Sequence, residues 1–183
     1  SDLAITAAMP NGTGLVEFQK VVPDRYYDVG IAEEHAALFA CGMATRGLKP
    51  FLTIYSTFFQ RAYDMAVHDI GIQNLPVRLC MDRAGLSGDD GPTHHGLFDI
   101  GYMRHVPNWV LMQPKDEDEF ADMLWTMVQH DSGPTAIRYP RGAGTGATPK
   151  AAPQCLEIGK AEVVQEGTDV ALIGLGNLFE MAD

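Results

Sequence analysis

The sequence predicts an α/β fold, a doubly wound and mostly parallel sheet of about six strands with helices on both faces. Short runs rich in β-branched, aromatic and other apolar residues alternate at a steady pace with segments of helical periodicity, the pattern that crossover connections between parallel strands produce. The 183 residues, 46% hydrophobic and 20% charged, suffice to bury one substantial core and a remnant of a second.

The first two runs, LAITAAM (3–9) and YYDV (26–29), flank a small helix near residues 15–21. Asp28 is the expected N-cap of the helix AEEHAALFACGMA (32–44), which carries Glu33 and Glu34 in a first turn where acids complement the helix dipole. PFLTIY (50–55) leads into STFFQRAYDMAVHD (56–69), a helix start with Ser56 or Thr57 as cap, and PVRLCMD (76–82) opens into a long irregular loop. WVLMQ (109–113) precedes KDEDEFADMLWTMVQH (115–130), whose Phe120, Met123, Leu124, Met127 and Val128 form one apolar stripe, and TAIRY (135–139) is the last strand. Residues 1–142 thus form the first domain. Residues 143–157 read as a linker from their Gly, Ala and Pro content, and 158–183 as the hairpin-and-strand opening of a further domain, which makes the chain look like a piece of a longer protein. GLGN (174–177) lacks the third glycine of a dinucleotide fingerprint.

Composition excludes several functions. With a formal net charge of -11 and 13 scattered basic residues, the chain offers no surface for nucleic acid. No apolar run approaches the roughly 20 residues that span a bilayer, and the N-terminus lacks a secretory pattern, so the expected location is cytoplasmic. Cys41, Cys80 and Cys155 are widely spaced, without a CxxC pair, and read as reduced thiols.

In a sheet of this type ligands sit beyond the carboxyl ends of the strands, so the loops there carry the candidates. At helical spacing Glu33 shares a stripe with Ala36, Ala37, Ala40 and Ala44, whereas Glu34 falls nearer Leu38 and Cys41. A carboxylate at the edge of a buried small-residue face is desolvated, which raises its pKa and suits a proton donor or relay; the alternative is simple dipole complementarity. Phe58 and Arg61 project from one helix face beyond Tyr55 and can stack on a flat ring, or else are a core aromatic and a surface partner of Asp64 or Asp69. His68 reads as a hydrogen-bonded structural histidine. The loop DRAGLSGDDGPTHHGLFD (82–99) is dense in glycine, acids and histidine. A metal on His94, His95, Asp89 and Asp90 is disfavoured because adjacent histidines rarely converge on one ion; a histidine offered to a substrate hydroxyl or carbonyl fits better. Arg141, at the end of the last strand, pairs with Arg83 as a two-arginine phosphate clamp, or each is a surface charge.

The runs DVGIAEEHAALFACGMATRGLKPFLTIYSTFFQRAYDMAVHD, LPVRLCMDRAGLSGDDGPTHHGLFDIGYM and AIRYPRG closely resemble the central domain of the 1-deoxy-D-xylulose-5-phosphate synthases, thiamine-diphosphate enzymes of the transketolase superfamily, from about residue 5 to residue 142. The resemblance implies condensation of pyruvate with glyceraldehyde 3-phosphate with loss of carbon dioxide, the first step of non-mevalonate isoprenoid synthesis, by a homodimer. It also implies that this domain holds the aminopyrimidine end of thiamine diphosphate. Glu33 then looks like the superfamily glutamate that hydrogen-bonds the pyrimidine nitrogen and drives the imino tautomer, whose imine deprotonates the thiazolium carbon. Phe58 resembles the aromatic stacked on the pyrimidine, and Arg61 its neighbour. Tyr55, Arg83 and Arg141 match residues implied in binding the acceptor's phosphate, and Asp90 and His94 match polar residues near the reacting carbons, His94 with a catalytic role. Residues 158–183 then resemble the start of the C-terminal transketolase domain.

The chain departs from the family at Glu34, usually Gln, at Asp89, commonly small, and at the variable His95. The superfamily binds the cofactor diphosphate through Mg2+ at a Gly-Asp-Gly motif with a later asparagine, in an N-terminal domain. GDDG at 88–91 is not that motif, so the resemblance places the Mg2+ outside this chain and implies no turnover by the chain alone. Two alternatives stand beside this reading: another transketolase-type enzyme, such as a transketolase or a pyruvate dehydrogenase beta-subunit, and a non-catalytic module of the same fold.

Overall fold

Period-two alternation along parallel strands sets the layers of the molecule. In the computed structural model, which describes residues 2–181, β1 (Asp2–Thr6), β2 (Tyr26–Asp28), β3 (Lys49–Tyr55), β4 (Arg78–Asp82), β5 (Val110–Met112) and β6 (Thr135–Arg138) form one sheet. Their order is β2-β1-β3-β4-β6-β5, every neighbouring pair is parallel, and each strand falls within a β-rich run of the sequence or at its edge. Successive side chains point to opposite faces, so Leu79, Met81 and Ala136 join one buried cluster while Cys80 and Ile137 join a second. The first is covered by α2 (Glu33–Ala44) and the helical segment that begins at α3 (Ser56–Phe59), the second by Met123 and Met127 of α6 (Glu117–Gln129). Helices on both faces of a parallel sheet are the predicted class.

The alanine stripe of α2 is what lets this helix lie close on the sheet. Ala36, Ala37 and Ala40 are wholly buried, and the helix packs on β1 and β3. The helical segment after β3 is broken. A 3₁₀ turn (Gln60–Ala62) follows α3, and a π-helical stretch (Ala66–Gly71) follows a short turn, α4 (Tyr63–Met65). The Ala66 carbonyl accepts a 3.2 Å bond from the Trp109 indole, and Gly71 is small because a Cβ there would lie 2.6 Å from Val106. The remaining helices are α1 (Leu15–Val21), as the sequence predicts, and α5 (Asp99–Met103).

Several local expectations are corrected. Asp28 does not cap α2, whose N-cap is Ala32; its Oδ1 accepts the amides of Ala8 (2.8 Å) and Gly30 (2.9 Å) and so ties together the loops after β1 and β2. Neither Ser56 nor Thr57 caps the next helix, since the N-cap position is Tyr55 and Ser56 already lies inside α3 with its Oγ buried and unpartnered. His68 is hydrogen-bonded, as expected, its partner being Asp64 one turn earlier at 2.8 Å.

The segment read as a free linker is strapped along α6. Thr145 and Gly146 bond Glu117, Lys150 bridges Asp118 and Asp122, Gln154 N donates to Asp122, and Leu156 N donates to Thr126 at 2.9 Å. Asp122 and Thr126, which accept these bonds, are buried. The hairpin and strand expected from residue 158 onward are not formed: residues 158–175 carry no strand and expose Val163, Val170, Leu172 and Ile173. A strand must pair its amides and carbonyls with a neighbour, and none of the described strands pairs with this segment.

Burial pushes the thiols of Cys41 and Cys80 up to about 12, so neither forms the reactive thiolate at neutral pH, whereas Cys155 is exposed. Titration of the native chain with a thiol-specific disulfide reagent at pH 8 is expected to label Cys155 quickly and the other two only on unfolding. Rapid labelling of all three would contradict the packing around α2 and β4.

Candidate active site

Five chain segments, those that follow β1, β2, β3, β4 and β6, contribute to the site, beside the point where the chain, having moved from β1 to β2, crosses back to β3. β3 ends on Tyr55, and its helix continuation carries Phe58 and Arg61. β4 ends on Asp82, followed by Arg83 with φ 59, a left-handed conformation rare outside glycine. The long loop that follows is closed at its base by two 2.8 Å bonds between Gly85 and Gly96. Gly96 is glycine by necessity: a Cβ there would stand 2.5 Å from both the Arg83 carbonyl and Ser56 Oγ. Inside this loop Ser87 Oγ donates to the His94 carbonyl (2.6 Å) and Ser87 N donates to His95 Nδ1 (2.9 Å), so His95 holds the loop's shape while His94 remains at the cleft.

Every candidate residue belongs to one continuous chain of contacts. Glu33, 2% exposed at the start of α2, receives Arg61 Nη1 at 2.9 and 3.1 Å on its two oxygens. The Arg61 guanidinium lies 5.7 Å from the Phe58 ring centre. Phe58 stacks at 5.7 Å on Tyr55 and meets His94 edge-on at 5.2 Å. The Arg83 guanidinium covers the Tyr55 ring at 4.1 Å. Asp90 then stands between two arginines, its Oδ2 3.2 Å from Arg141 Nε and 3.6 Å from Arg83 Nε. Arg61 is therefore tied to Glu33 and not to Asp64 or Asp69, and Arg83 and Arg141 converge as a pair. Glu34 is half-buried and Asp89 exposed, and neither enters the contact chain among the described residues.

Burial raises the Tyr55 hydroxyl above the ordinary phenol range, with Arg83 opposing, so it remains a protonated donor at neutral pH. Burial likewise raises Asp82, against the pull of Arg83, whose Nη1 is 2.9 Å from its Oδ1. Among the described residues no three His, Cys, Asp or Glu side chains are grouped to hold a metal ion. No helix among them is long and apolar enough to cross a membrane.

The site has one wall that reading the sequence missed. A cleft of about 310 Å³ is lined on one side by Tyr55, Phe58 and His94 and on the other by the loop after β1, Ala8 to Gly12. Met9 is buried there and receives the Tyr55 amide on its sulfur at 3.4 Å; Ala8 has φ 62. The rule that singled out the other loops applies equally to this one, because it too leaves the carboxyl end of a strand. Its residues, MPNGTG, carry no charge that would have marked them.

The arrangement fits a flat heteroaromatic ring with a ring nitrogen. It pairs a buried carboxylate with an aromatic face on a neighbouring helix, and sets a two-arginine anion site past the aromatic cluster.

Comparison with known proteins identifies the family. Residues 3–145 match the family described as transketolase, pyrimidine binding domain. The chain is 65% identical over 181 residues to the 1-deoxy-D-xylulose-5-phosphate synthase of Acidobacterium capsulatum, covering 99% of this chain and 29% of that protein. It is 63% identical over 179 residues to the synthase of Methylacidiphilum infernorum, covering 98% and 28%. The chain thus spans less than a third of the length of these curated relatives. Among solved structures, a split-gene transketolase described as an inactive beta4 tetramer superposes with a TM-score of 0.81 at 26% identity, over 96% of this chain and 56% of that one. The transketolase of Campylobacter jejuni, at 20% identity and a TM-score of 0.67 over 76% of this chain and 23% of its own, shares the fold.

Proposed function

Because this chain belongs to the transketolase pyrimidine-binding domain family, we propose that it is the domain of a 1-deoxy-D-xylulose-5-phosphate synthase that holds the aminopyrimidine of thiamine diphosphate and part of the acceptor site. The protein so formed joins pyruvate to glyceraldehyde 3-phosphate with loss of carbon dioxide. The observation that carries the reading is the contact chain from Glu33 to Arg141, which sets a carboxylate, an aromatic face and a paired-arginine anion site side by side. The same reading takes the enzyme as a cytoplasmic homodimer, with Mg2+ and the cofactor diphosphate held by residues outside this chain.

When bound, thiamine diphosphate supplies the carbon nucleophile that adds to the pyruvate carbonyl and accepts the electron pair released with carbon dioxide. The chain's own residues bind, orient and move protons. Glu33, dry at the head of α2, shares a proton with the pyrimidine ring nitrogen, and Arg61 fixes the orientation of its carboxyl group. Phe58 offers its face to the ring. Arg83 and Arg141 bind the phosphate of the acceptor bidentately, with the Tyr55 hydroxyl as a third donor. His94, edge-on to Phe58, lies between these two ends and is placed to pass a proton to the acceptor's carbonyl oxygen as the new carbon–carbon bond forms. Asp90 presents its carboxylate to both arginines and keeps them converged.

The test is to incubate the protein carrying this chain with thiamine diphosphate, Mg2+, pyruvate and glyceraldehyde 3-phosphate and follow carbon dioxide and sugar-phosphate product together. Equimolar release is expected. Turnover of ketose-phosphate donors without carbon dioxide would replace the reading with a transketolase.

A further inference from the structure

Gly12 has no conformational reason to be glycine, for it is absent from the glycines with positive φ. What it lacks is room. A Cβ at this position would lie 1.6 Å from the Tyr55 hydroxyl, 2.7 Å from Tyr55 Cζ and 3.1 Å from Arg83 Nη2. The phenol therefore fills the space a side chain would take. The Gly12 carbonyl meanwhile accepts a 2.7 Å bond from Arg83 Nη1, and the guanidinium carbon lies over the Tyr55 ring, 4.1 Å from its centre. Backbone, phenol and guanidinium interlock, so neither side chain can shift without the other. Arg83 Nε is buried without a hydrogen-bond partner; its nearest anion, Asp90 Oδ2, is 3.6 Å away. A buried cationic donor left unmatched in this way is poised for a ligand oxygen.

We propose that Gly12 is a positioning residue for the anion site: its missing side chain seats Tyr55, its carbonyl orients Arg83, and together these set the enzyme's preference for a phosphate-bearing acceptor. Any side chain at position 12 pushes the phenol off its seat and carries the stacked guanidinium with it. The effect is expected mainly on the phosphate, because Glu33 and Arg61 make no hydrogen bond to this notch and Phe58 meets it only through the Tyr55 ring. The inference rests on the proposed function for the identity of the acceptor, but the notch itself does not.

Gly12→Ala in the protein carrying this chain is expected to raise KM for glyceraldehyde 3-phosphate by about tenfold or more, with KM for pyruvate unchanged. Calorimetric affinity for glycerol 3-phosphate, an unreactive probe, is expected to fall by a similar factor. A general loss of packing would instead lower the melting temperature and move both KM values. In a Tyr55→Leu background, where the atoms in the way are gone, adding Gly12→Ala is expected to cost less than about twofold, which keeps the idea testable should the single variant not fold. Equal probe affinity in wild type and Gly12→Ala, or no probe binding by the wild type, overturns the inference. A wild type that binds the probe but does not turn over pyruvate overturns the proposed reaction and leaves the role of Gly12 to the affinity ratio.

Discussion

Glu33→Gln is expected to lower kcat of the enzyme by about 10²–10⁴-fold while leaving the protein folded. The substituted amide would keep a carbonyl oxygen for Arg61 Nη1 but could neither release nor take up a proton at the pyrimidine. Arg61 is 51% exposed, so water solvates the guanidinium, but the buried amide NH2 faces the Arg61 donor without an acceptor, and the stability cost is expected to be about 1–3 kcal/mol. Steady-state kinetics with both substrates, alongside a melting curve, reads the two effects separately. Glu34→Gln makes the adjacent comparison: that carboxylate is half-buried and lies outside the contact chain, and its loss is expected to change kcat by less than about twofold. Near-normal turnover by Glu33→Gln would remove the carboxylate from the proton relay and favour a structural role in α2.

The fold was legible because its strands are self-announcing: Leu79, Cys80 and Met81 are apolar on both faces, and only a sheet covered on both sides needs that. The division between Glu33 and Glu34 was legible too, since helical spacing alone puts the first on the alanine stripe and the second off it. The illegible features share a cause. Asp122 and Thr126 carry no mark in the sequence of the Gln154 and Leu156 amides that they accept, and Asp28 looks like a helix cap until the loop after β1 is brought to it. Gly12 carries no mark in the sequence, and its role depends on the hydroxyl of a tyrosine 43 positions later that occupies its empty side-chain position. In each case a polar or small residue answers to a group distant in sequence, and periodicity carries no record of that partner. Arg61 is an intermediate case, with its face predicted and its partner, Glu33 and not Asp64, supplied by the packing of α2 against the helical segment after β3.

Arg138→Met is expected to destabilise the chain by about 3–5 kcal/mol. Arg138 closes β6, 7% exposed, and its Nε donates to Asp99 Oδ2 at 2.8 Å; Asp99 itself is 1% exposed. The guanidinium also donates to Gln113 Oε1 and reaches the Gly96 main-chain carbonyl at 3.5 Å, while Gln113 Nε2 extends the network to Asn177 at 2.9 Å. Methionine fills much of the volume but leaves the Asp99 carboxylate buried with only the Ile100 amide, so the penalty is that of an uncompensated charge and not of a cavity. The double variant Asp99→Leu/Arg138→Met, which removes both charges, is therefore expected to recover a large part of the loss, and urea unfolding of the four proteins gives the coupling directly. Additive costs would mean that Asp99 finds other partners. Because Gly96 closes the base of the loop that carries His94 and Asp90, a strained Arg138 site also slackens the acceptor end of the cleft, and the single variant is expected to lose acceptor affinity even at temperatures where it remains folded.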